Sequence, residues 1–303
     1  MSVITTGQVA KLLKPGLDAI WGRDYTEHSK EFTDLFEMDT SDMNYEEDVE
    51  MTGFGLAPIK AQGSATTYDT ESQQTVSRYT HVAYSLGFIV TREEIDDNLY
   101  EKRGTTRAKA LAFSFRQTKE NVAANVYNRA QTSGYTGGDG AVLSATTHGT
   151  IGGNQSNRLA TAADLSEASL EDLCIQIGQA TNARGLKISL TPKSLIIPVN
   201  LQFESARILK SAQQSGSANN DINALRSMGM FTDGVKVNHY LTDTDAFFVR
   251  TDAPEGMKMF QRVAAEFKQD GDFDTDNLKW KGYERYSFGW TDFRGLYTNG
   301  MGA

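Results

Sequence analysis

The sequence predicts an α+β protein whose most extended part is stable only against another subunit. Three stretches carry that prediction. Between Tyr45 and Asp97 an acidic run (Glu46, Glu47, Asp48, Glu50) gives way to Gly53-Phe54-Gly55-Leu56-Ala57-Pro58 and a polar loop. A second extended run then closes on Tyr84-Ser85-Leu86-Gly87-Phe88-Ile89-Val90-Thr91-Arg92-Glu93-Glu94-Ile95-Asp96-Asp97. Between Thr105 and Gln131 apolar residues recur at helical spacing, and from Leu278 to Tyr297 the chain is aromatic-rich and extended. A two-stranded ribbon alone is marginal in water, so long polar-flanked arms with no core of their own mark an assembly protein.

Residues 1–44 mix short helical patches with charges and read as an arm. Leu12, Leu13, Leu17 and Ile20 offer one small apolar face, which Pro15-Gly16 is expected to interrupt. A ribbon over 45–90 follows, with strand alternation near Thr80–Leu86 and a Gly/Ser/Thr-rich tip around Gln62–Thr67. The helix over Thr105–Gln131 places Ala108, Leu111, Ala112, Phe115, Val122, Val126 and Ala130 on one face. At 1.5 Å per residue it is roughly 40 Å long, a length suited to a molecular spine. Ser133–Gly140 ends it as a loop.

A second helix starts after Ser144–Arg158. Ser169 followed by Asp172 approaches a capping box, and Leu170, Leu173, Cys174 and Ile177 repeat at i, i+3, i+4 and i+7. Leu186–Leu190 and Leu195–Ile197 are short strand candidates around Pro192, and Pro198 opens a helix reaching about Ser211. Ser211–Asp221 is a polar loop. Val235–Tyr240, Ala246–Arg250 and Met257–Gln261 read as strands.

The chain has 303 residues, 39 acidic and 30 basic, for a formal net charge of -9. A protein that grips DNA through its phosphates has the opposite balance, whereas an acidic container wall resists non-specific adsorption of its contents. No run of 18 apolar residues suits a membrane span, and the N-terminus lacks a secretory pattern. Cys174 is the one cysteine and cannot form an internal disulfide, which fits synthesis in a reducing cytoplasm.

No catalytic, cofactor-binding or metal-binding set is expected. His28, His81, His148 and His239 are far apart in sequence, and zinc, phosphate-loop and nucleophile-elbow patterns are missing. Asp270-Gly271-Asp272-Phe273-Asp274-Thr275-Asp276 resembles the start of a calcium loop. From Asp270 the turn glycine position falls on Thr275 and the closing glutamate on Lys281; from Asp272 they fall on Asn277 and Tyr283. A solvated acidic turn is the expectation, with a calcium-binding protein as the rival. The tail interleaves Lys279, Lys281, Arg285 and Arg294 with aromatics, which reads as sheet packing rather than single-strand stacking in so acidic a chain.

Three stretches, in order, are similar to the major capsid proteins of tailed bacteriophages, in particular Mu-type major head subunits. They are Gly53–Pro58 with Tyr84–Asp97; Leu190-Thr191-Pro192-Lys193-Ser194-Leu195-Ile196-Ile197-Pro198-Val199-Asn200-Leu201-Gln202-Phe203-Glu204-Ser205-Ala206; and Asp274–Leu278 with Phe288-Gly289-Trp290-Thr291-Asp292-Phe293-Arg294-Gly295. The resemblance implies the tailed-phage major capsid fold: an N-terminal arm (1–44), an extended β-hairpin loop (45–90), a peripheral domain (91–189 and 255–303) with the long helix as its spine, and an axial domain (190–254).

It also implies a head protein, not an enzyme, that self-assembles into hexamers and pentamers of an icosahedral shell around phage double-stranded DNA. Such a protein is made in the bacterial host cytoplasm and resides in the virion, without cofactor, membrane association or sequence-specific DNA binding. A portal and a separate scaffolding protein are the implied partners, since only about 45 residues precede the ribbon. Some relatives join subunits covalently through a lysine of the extended loop; Lys60 is the single lysine in 45–90. Phe54, Leu56, Ile59 and Lys60 are the expected inter-subunit contacts. An encapsulin-like compartment holding a cargo enzyme is the alternative that shares the fold.

Overall fold

The computed structural model describes residues 6–27, 29–97, 100–214, 221–272 and 276–302. In chain order the elements are α1 (Thr6–Glu27), α2 (Phe32–Leu35), β1 (Glu37–Thr40), β2 (Tyr45–Met51), β3 (Gln73–Thr80), β4 (Val82–Val90), α3 (Arg92–Asp96) and α4 (Tyr100–Asn128). Then come β5 (His148–Thr150), β6 (Gly153–Gln155), α5 (Glu167–Gly178), β7 (Pro192–Pro198), α6 (Gln202–Lys210), α7 (Ala224–Met228), β8 (Gly234–Asn238), β9 (Phe247–Thr251), β10 (Met257–Gly271), β11 (Leu278–Trp290) and β12 (Leu296–Asn299).

Two four-stranded sheets organise the chain, in the orders β1-β10-β11-β4 and β12-β9-β7-β8, and β2-β3 form a separate ribbon. In the first sheet β10 and β11 pair antiparallel from Met257↔Trp290 to Gly271↔Leu278, with register shifts between Gln261 and Glu266. The spine helix α4 lies on one face. Gly282 of β11 admits it: a Cβ there would sit 2.5 Å from the Phe115 ring. Leu111, Ala112 and Phe115 of α4 pack there with Trp21 of α1 and, from β10, Ala265 and Phe267.

The second sheet divides two cores. Ile196 and Phe248 face the core holding Phe32, Leu35, Phe36, Tyr127, Met257 and Tyr286. Their neighbours Leu195, Ile197, Phe247 and Val249 face the core holding Leu170, Leu173 and Ile177 of α5, and Tyr297. A strand buried on both faces reads as an unbroken apolar run, which is why Leu195–Ile197 is so plain in the sequence.

Several expectations change. The first helix runs unbroken through Pro15-Gly16, because Leu17 and Trp21 are buried in the clusters shared with α4 and tertiary packing outweighs propensity. The side chains of Leu12 and Leu13 lie outside the description. The spine helix begins at Tyr100 and takes in Gly104. The helix 167–178 is capped by Ser166, with Ser169 as its reciprocal partner, so the box sits three residues earlier than expected. Residues 186–190 form no strand; Thr181 and Lys187 make an isolated bridge.

The ribbon ends at Thr80. β4 departs to pair with β11 from Val82↔Tyr286 to Val90↔Leu278, which makes it the edge of the first sheet. β1, missed within the arm, adds to β10 in parallel from Glu37↔Lys258 to Thr40↔Gln261.

Candidate assembly surface: the ribbon and its root

The acidic run of β2 is the key to the ribbon's seating. Side chains alternate across a strand, so Glu46, Asp48 and Glu50 share one face while Tyr45, Glu47, Val49 and Met51 share the other. The first face turns to the body. Ser41 donates to Glu46 Oε1 at 2.5 Å, Lys258 Nζ and the Thr291 hydroxyl each donate to Asp48 Oδ2 at 2.8 Å, and Arg294 donates to Glu50 Oε1 at 3.1 Å. Because the Thr291 proton goes to Asp48, the Tyr79 hydroxyl of β3 donates to Thr291 Oγ1, at 2.6 Å. Burial pushes that phenol upward in pKa, and the Asp48 charge adds to the rise.

Arg294 is the centre of this joint. Its side chain is 2% exposed and also donates to Gln155 Oε1 at 3.0 Å, the Thr181 carbonyl at 2.8 Å and Asp292 Oδ1 at 2.9 Å. Burial raises the Asp292 carboxyl, and the Arg294 charge works against that rise. Beside it the Gly137-Gly138 turn abuts β3. A Cβ on Gly138 would lie 2.5 Å from the Val76 carbonyl oxygen, and one on Gly137 2.7 Å from Trp290 Nε1.

The other face of the ribbon is turned outward and mixes Val49 and Met51 with the exposed Glu47–Arg78 ion pair. Val49 and Val76 stand directly opposite each other, Val49 and Met51 are exposed, and the Arg78 guanidinium lies 3.8 Å from the centre of the Tyr45 ring. Beyond Met51 the chain runs without strand pairing to Ser72, with a turn at Gln62-Gly63 where the polar tip was expected. Gly53 takes φ 66°, a left-handed conformation that glycine adopts without strain.

Asp69 ties this segment back. It accepts from the Gly55 N–H at 2.8 Å and from Arg184 at 3.2 Å, and Arg184 also donates to the Thr70 carbonyl. The Gly55 N–H, followed by that of Thr70, holds the Asp69 carboxyl below its ordinary range, with a smaller contribution from Arg184.

All four predicted contact residues fall on this unpaired segment. Phe54 is 60% exposed, Leu56 82% and Ile59 101%, and Lys60 is exposed. The sequence reading missed the anchoring face of β2. Its signal is the alternation of Glu46, Asp48 and Glu50 with Glu47, Val49 and Met51.

The three described histidines have separate partners, and His28 lies outside the described residues. His81 bridges Ser287 and Ser41, and His239 meets Glu31. His148 sits between Asp139 Oδ2 at 2.5 Å and Asn157 Oδ1 at 3.2 Å, stacked on the Phe293 ring at 3.8 Å. Cys174 is buried, and burial pushes its thiol up to about 11. Among the described residues no three His, Cys, Asp or Glu side chains gather as a metal site, and no helix is long and apolar enough to cross a membrane. Of the acidic segment 270–276, residues 273–275 lie outside the description. Asp272 and Asn277 close the β10–β11 turn, where the Asp272 N–H donates to the Asn277 carbonyl at 2.9 Å.

No curated protein matches the chain by sequence. Solved structures do match by shape. The virus-like particle from Pyrococcus furiosus aligns with 11% identity and a TM-score of 0.55 over 93% of this chain and 97% of its own. The capsid of the cyanophage P-SCSP1u aligns with 12% identity and a TM-score of 0.55 over 88% of this chain and 86% of its own. The capsid of an empty GTA particle aligns with 13% identity and a TM-score of 0.52 over 90% of each chain. At such identities the likeness is one of fold, and the fold is that of tailed-phage major capsid proteins. The family model described as phage capsid protein matches residues 74–299, about three quarters of the sequence. The chain therefore belongs to the phage capsid protein family and is a structural subunit of a capsid shell.

Proposed function

We propose that this subunit assembles into hexamers and pentamers of an icosahedral head that encloses phage double-stranded DNA. The single observation that carries the reading is the ribbon. Its acidic face is fixed to the subunit at Lys258, Thr291 and Arg294, while Phe54, Leu56 and Ile59 project beyond it with their apolar surface in solvent. A projecting apolar segment on a fixed root is what a heterologous contact needs: one patch of each copy fits a different patch of the next, and the rotation closes a ring. Obligate interfaces of this kind bury about 2,000–5,000 Å², spread here over several neighbours.

In this reading the first sheet with α1 and α4 is the peripheral unit. The axial unit centres on 190–254, joined by α5 and β12 because both pack with β7 and β9. A separate scaffolding protein and a portal are the partners. Lys60 is the one ribbon lysine placed to join a neighbour covalently, and a ladder of bands from boiled particles on a denaturing gel is the result that would establish such joining. Electron microscopy of the purified chain, with analysis of particle contents, tests the central proposal: closed shells holding DNA support it, and discrete soluble particles overturn it. The likeness to the Pyrococcus furiosus virus-like particle favours a second reading, a compartment shell around a protein cargo. Protein rather than DNA inside the particles would select it.

A further inference from the structure

An edge strand carries unpaired N–H and C=O groups, and proteins blunt such edges by keeping them short or by placing charges on them. Three of the four outer strands of the two large sheets follow that rule. β1 is four residues long and holds Glu37 and Asp39, β8 is five long and holds Lys236, and β12 is four long and meets Arg158 through a bridge at Thr298. β4 breaks it. It is nine residues long without a charged side chain, and no second strand joins its outer edge among the described residues. Val82, Leu86 and Ile89 are each half exposed along it.

The open part of this edge has defined limits. Arg285 Nε donates to the His81 carbonyl at 3.3 Å, and Arg107 Nη1 donates to the Ile89 carbonyl at 3.2 Å. In an antiparallel ladder alternate residues bond across to the neighbour, and those between turn their peptide groups away. The two arginines mark the odd-numbered residues as the outward ones, which leaves Ala83, Ser85 and Gly87 with N–H and C=O groups toward solvent. Read about Ser85, the seven residues 82–88 are their own complement: Val82 meets Phe88, Ala83 meets Gly87, Tyr84 meets Leu86 and Ser85 meets itself.

We propose that β4 pairs antiparallel with β4 of a second copy of this chain across a two-fold axis at Ser85. An isologous contact needs one patch that fits itself, and this register satisfies both faces of the strand. Tyr84 and Phe88 lie on the side that packs against the buried clusters, and Val82 and Leu86 share that side with them by strand alternation. The small residues Ala83, Ser85 and Gly87 share the other. About six backbone hydrogen bonds form, two at each outward pair, and two four-stranded sheets become one of eight.

Charge permits the pairing. On β11 Arg285 stands beside Ala83 and Lys281 beside Gly87. Across the joint, Arg285 of one copy and Lys281 of the other are three strand spacings apart, about 14 Å. That exceeds the screening length of about 8 Å at physiological salt. A copy of β4 brings no charge of its own to the joint, and an icosahedral shell supplies two-fold axes between its subunits. The inference rests on the assembly reading for that axis, and on β4 itself for the register.

Oxidation of the concentrated full-length chain with copper phenanthroline tests the register, with particles scored by electron microscopy in the same sample. Opposed Cα atoms in a ladder lie about 4.5–5.5 Å apart, within disulfide range, so Ser85→Cys at this exposed position is expected to give a disulfide-linked dimer. Ala83→Cys is expected to give none, because two copies of that site lie about 13 Å apart along the strands. The natural chain, whose Cys174 is buried, is the blank. No dimer from Ser85→Cys, or dimers from both variants alike, would overturn the pairing. Shells seen beside that result leave the assembly reading standing, whereas dimers without shells support the pairing and count against the icosahedral head. Should Ser85→Cys fail to fold, backbone exchange of 82–88 in the natural chain decides. It is expected to slow about tenfold once the concentration exceeds the dimer dissociation constant about tenfold, and exchange independent of concentration would overturn the pairing.

Discussion

Glu120 ties the spine helix to the segment that enters the body after the arm. Its two oxygens accept the Glu31 N–H at 3.1 Å and the Phe32 N–H at 2.9 Å, which satisfies the open N-terminus of α2. Burial raises this carboxyl to about 7, so the folded chain binds a proton that the unfolded chain has released. A raised value means that the contribution is complete below about pH 4.5 and is lost as pH rises through about 7. Glu120→Gln, which fixes the neutral form, is expected to remove about 1–3 kcal/mol of that loss. Denaturant melts at pH 5 and pH 8 check this, and a variant with the natural chain's pH slope would refute it. Arg294 is the complementary case. Replacing it by Met leaves Glu50 and Asp292 without their cation at a buried joint, and the expected cost is about 3–5 kcal/mol in the same melts. Neither role was legible in the sequence, because the partners are 88–89 residues away for Glu120 and up to 244 for Arg294. Residue type alone marks a charge without saying what it faces.

The ribbon works as an element because its two faces have different tasks. Acids on one face meet Lys258, Thr291 and Arg294, and the other leaves Val49 and Met51 in solvent. Its seat depends on the missing side chain of Gly138. Gly138→Val would drive a methyl group into the Val76 carbonyl, and overpacking of this kind costs about 1–3 kcal/mol. The expected outcome is faster backbone exchange confined to 45–51 and 73–80, and unchanged protection there would contradict the account. Elements governed by their own pattern were readable in advance. The spine helix announced itself by Ala108, Leu111, Ala112 and Phe115, and β7 by its run of aliphatics. Elements governed by a distant partner were not. β1 is a strand because β10 offers it an edge, and the run after Thr80 leaves the hairpin because β11 pairs with it. The arm helix survives Pro15-Gly16 because Trp21 has an aromatic bed in Phe115, Tyr25 and Phe267. Of the candidate site, the projecting residues were legible as apolar side chains in a polar loop; the anchors beneath them were not.

At the scale of the whole molecule, the subunit packs cores on both faces of its second sheet and further clusters around α1 and α4, and it leaves Phe54, Leu56 and Ile59 of the ribbon exposed. On the proposed assembly, shell stability lies in contacts that one chain cannot make with itself. Phe54→Ala is expected to leave the melting curve of the soluble subunit unchanged, because the ring is 60% exposed there. Truncating an anchor that becomes buried at an interface costs about 2–4 kcal/mol for each contact, so the same variant is expected to lose or greatly slow assembly. Sedimentation of natural and variant chains under identical conditions separates the two effects. The most direct measurement is electron microscopy of the natural chain, expressed alone and with candidate scaffold genes. The account predicts closed shells whose five- and six-fold capsomers each carry a ribbon lying over the neighbouring copy, with Phe54, Leu56 and Ile59 covered. Small discrete particles under every condition, or shells in which those side chains remain in solvent, would contradict it.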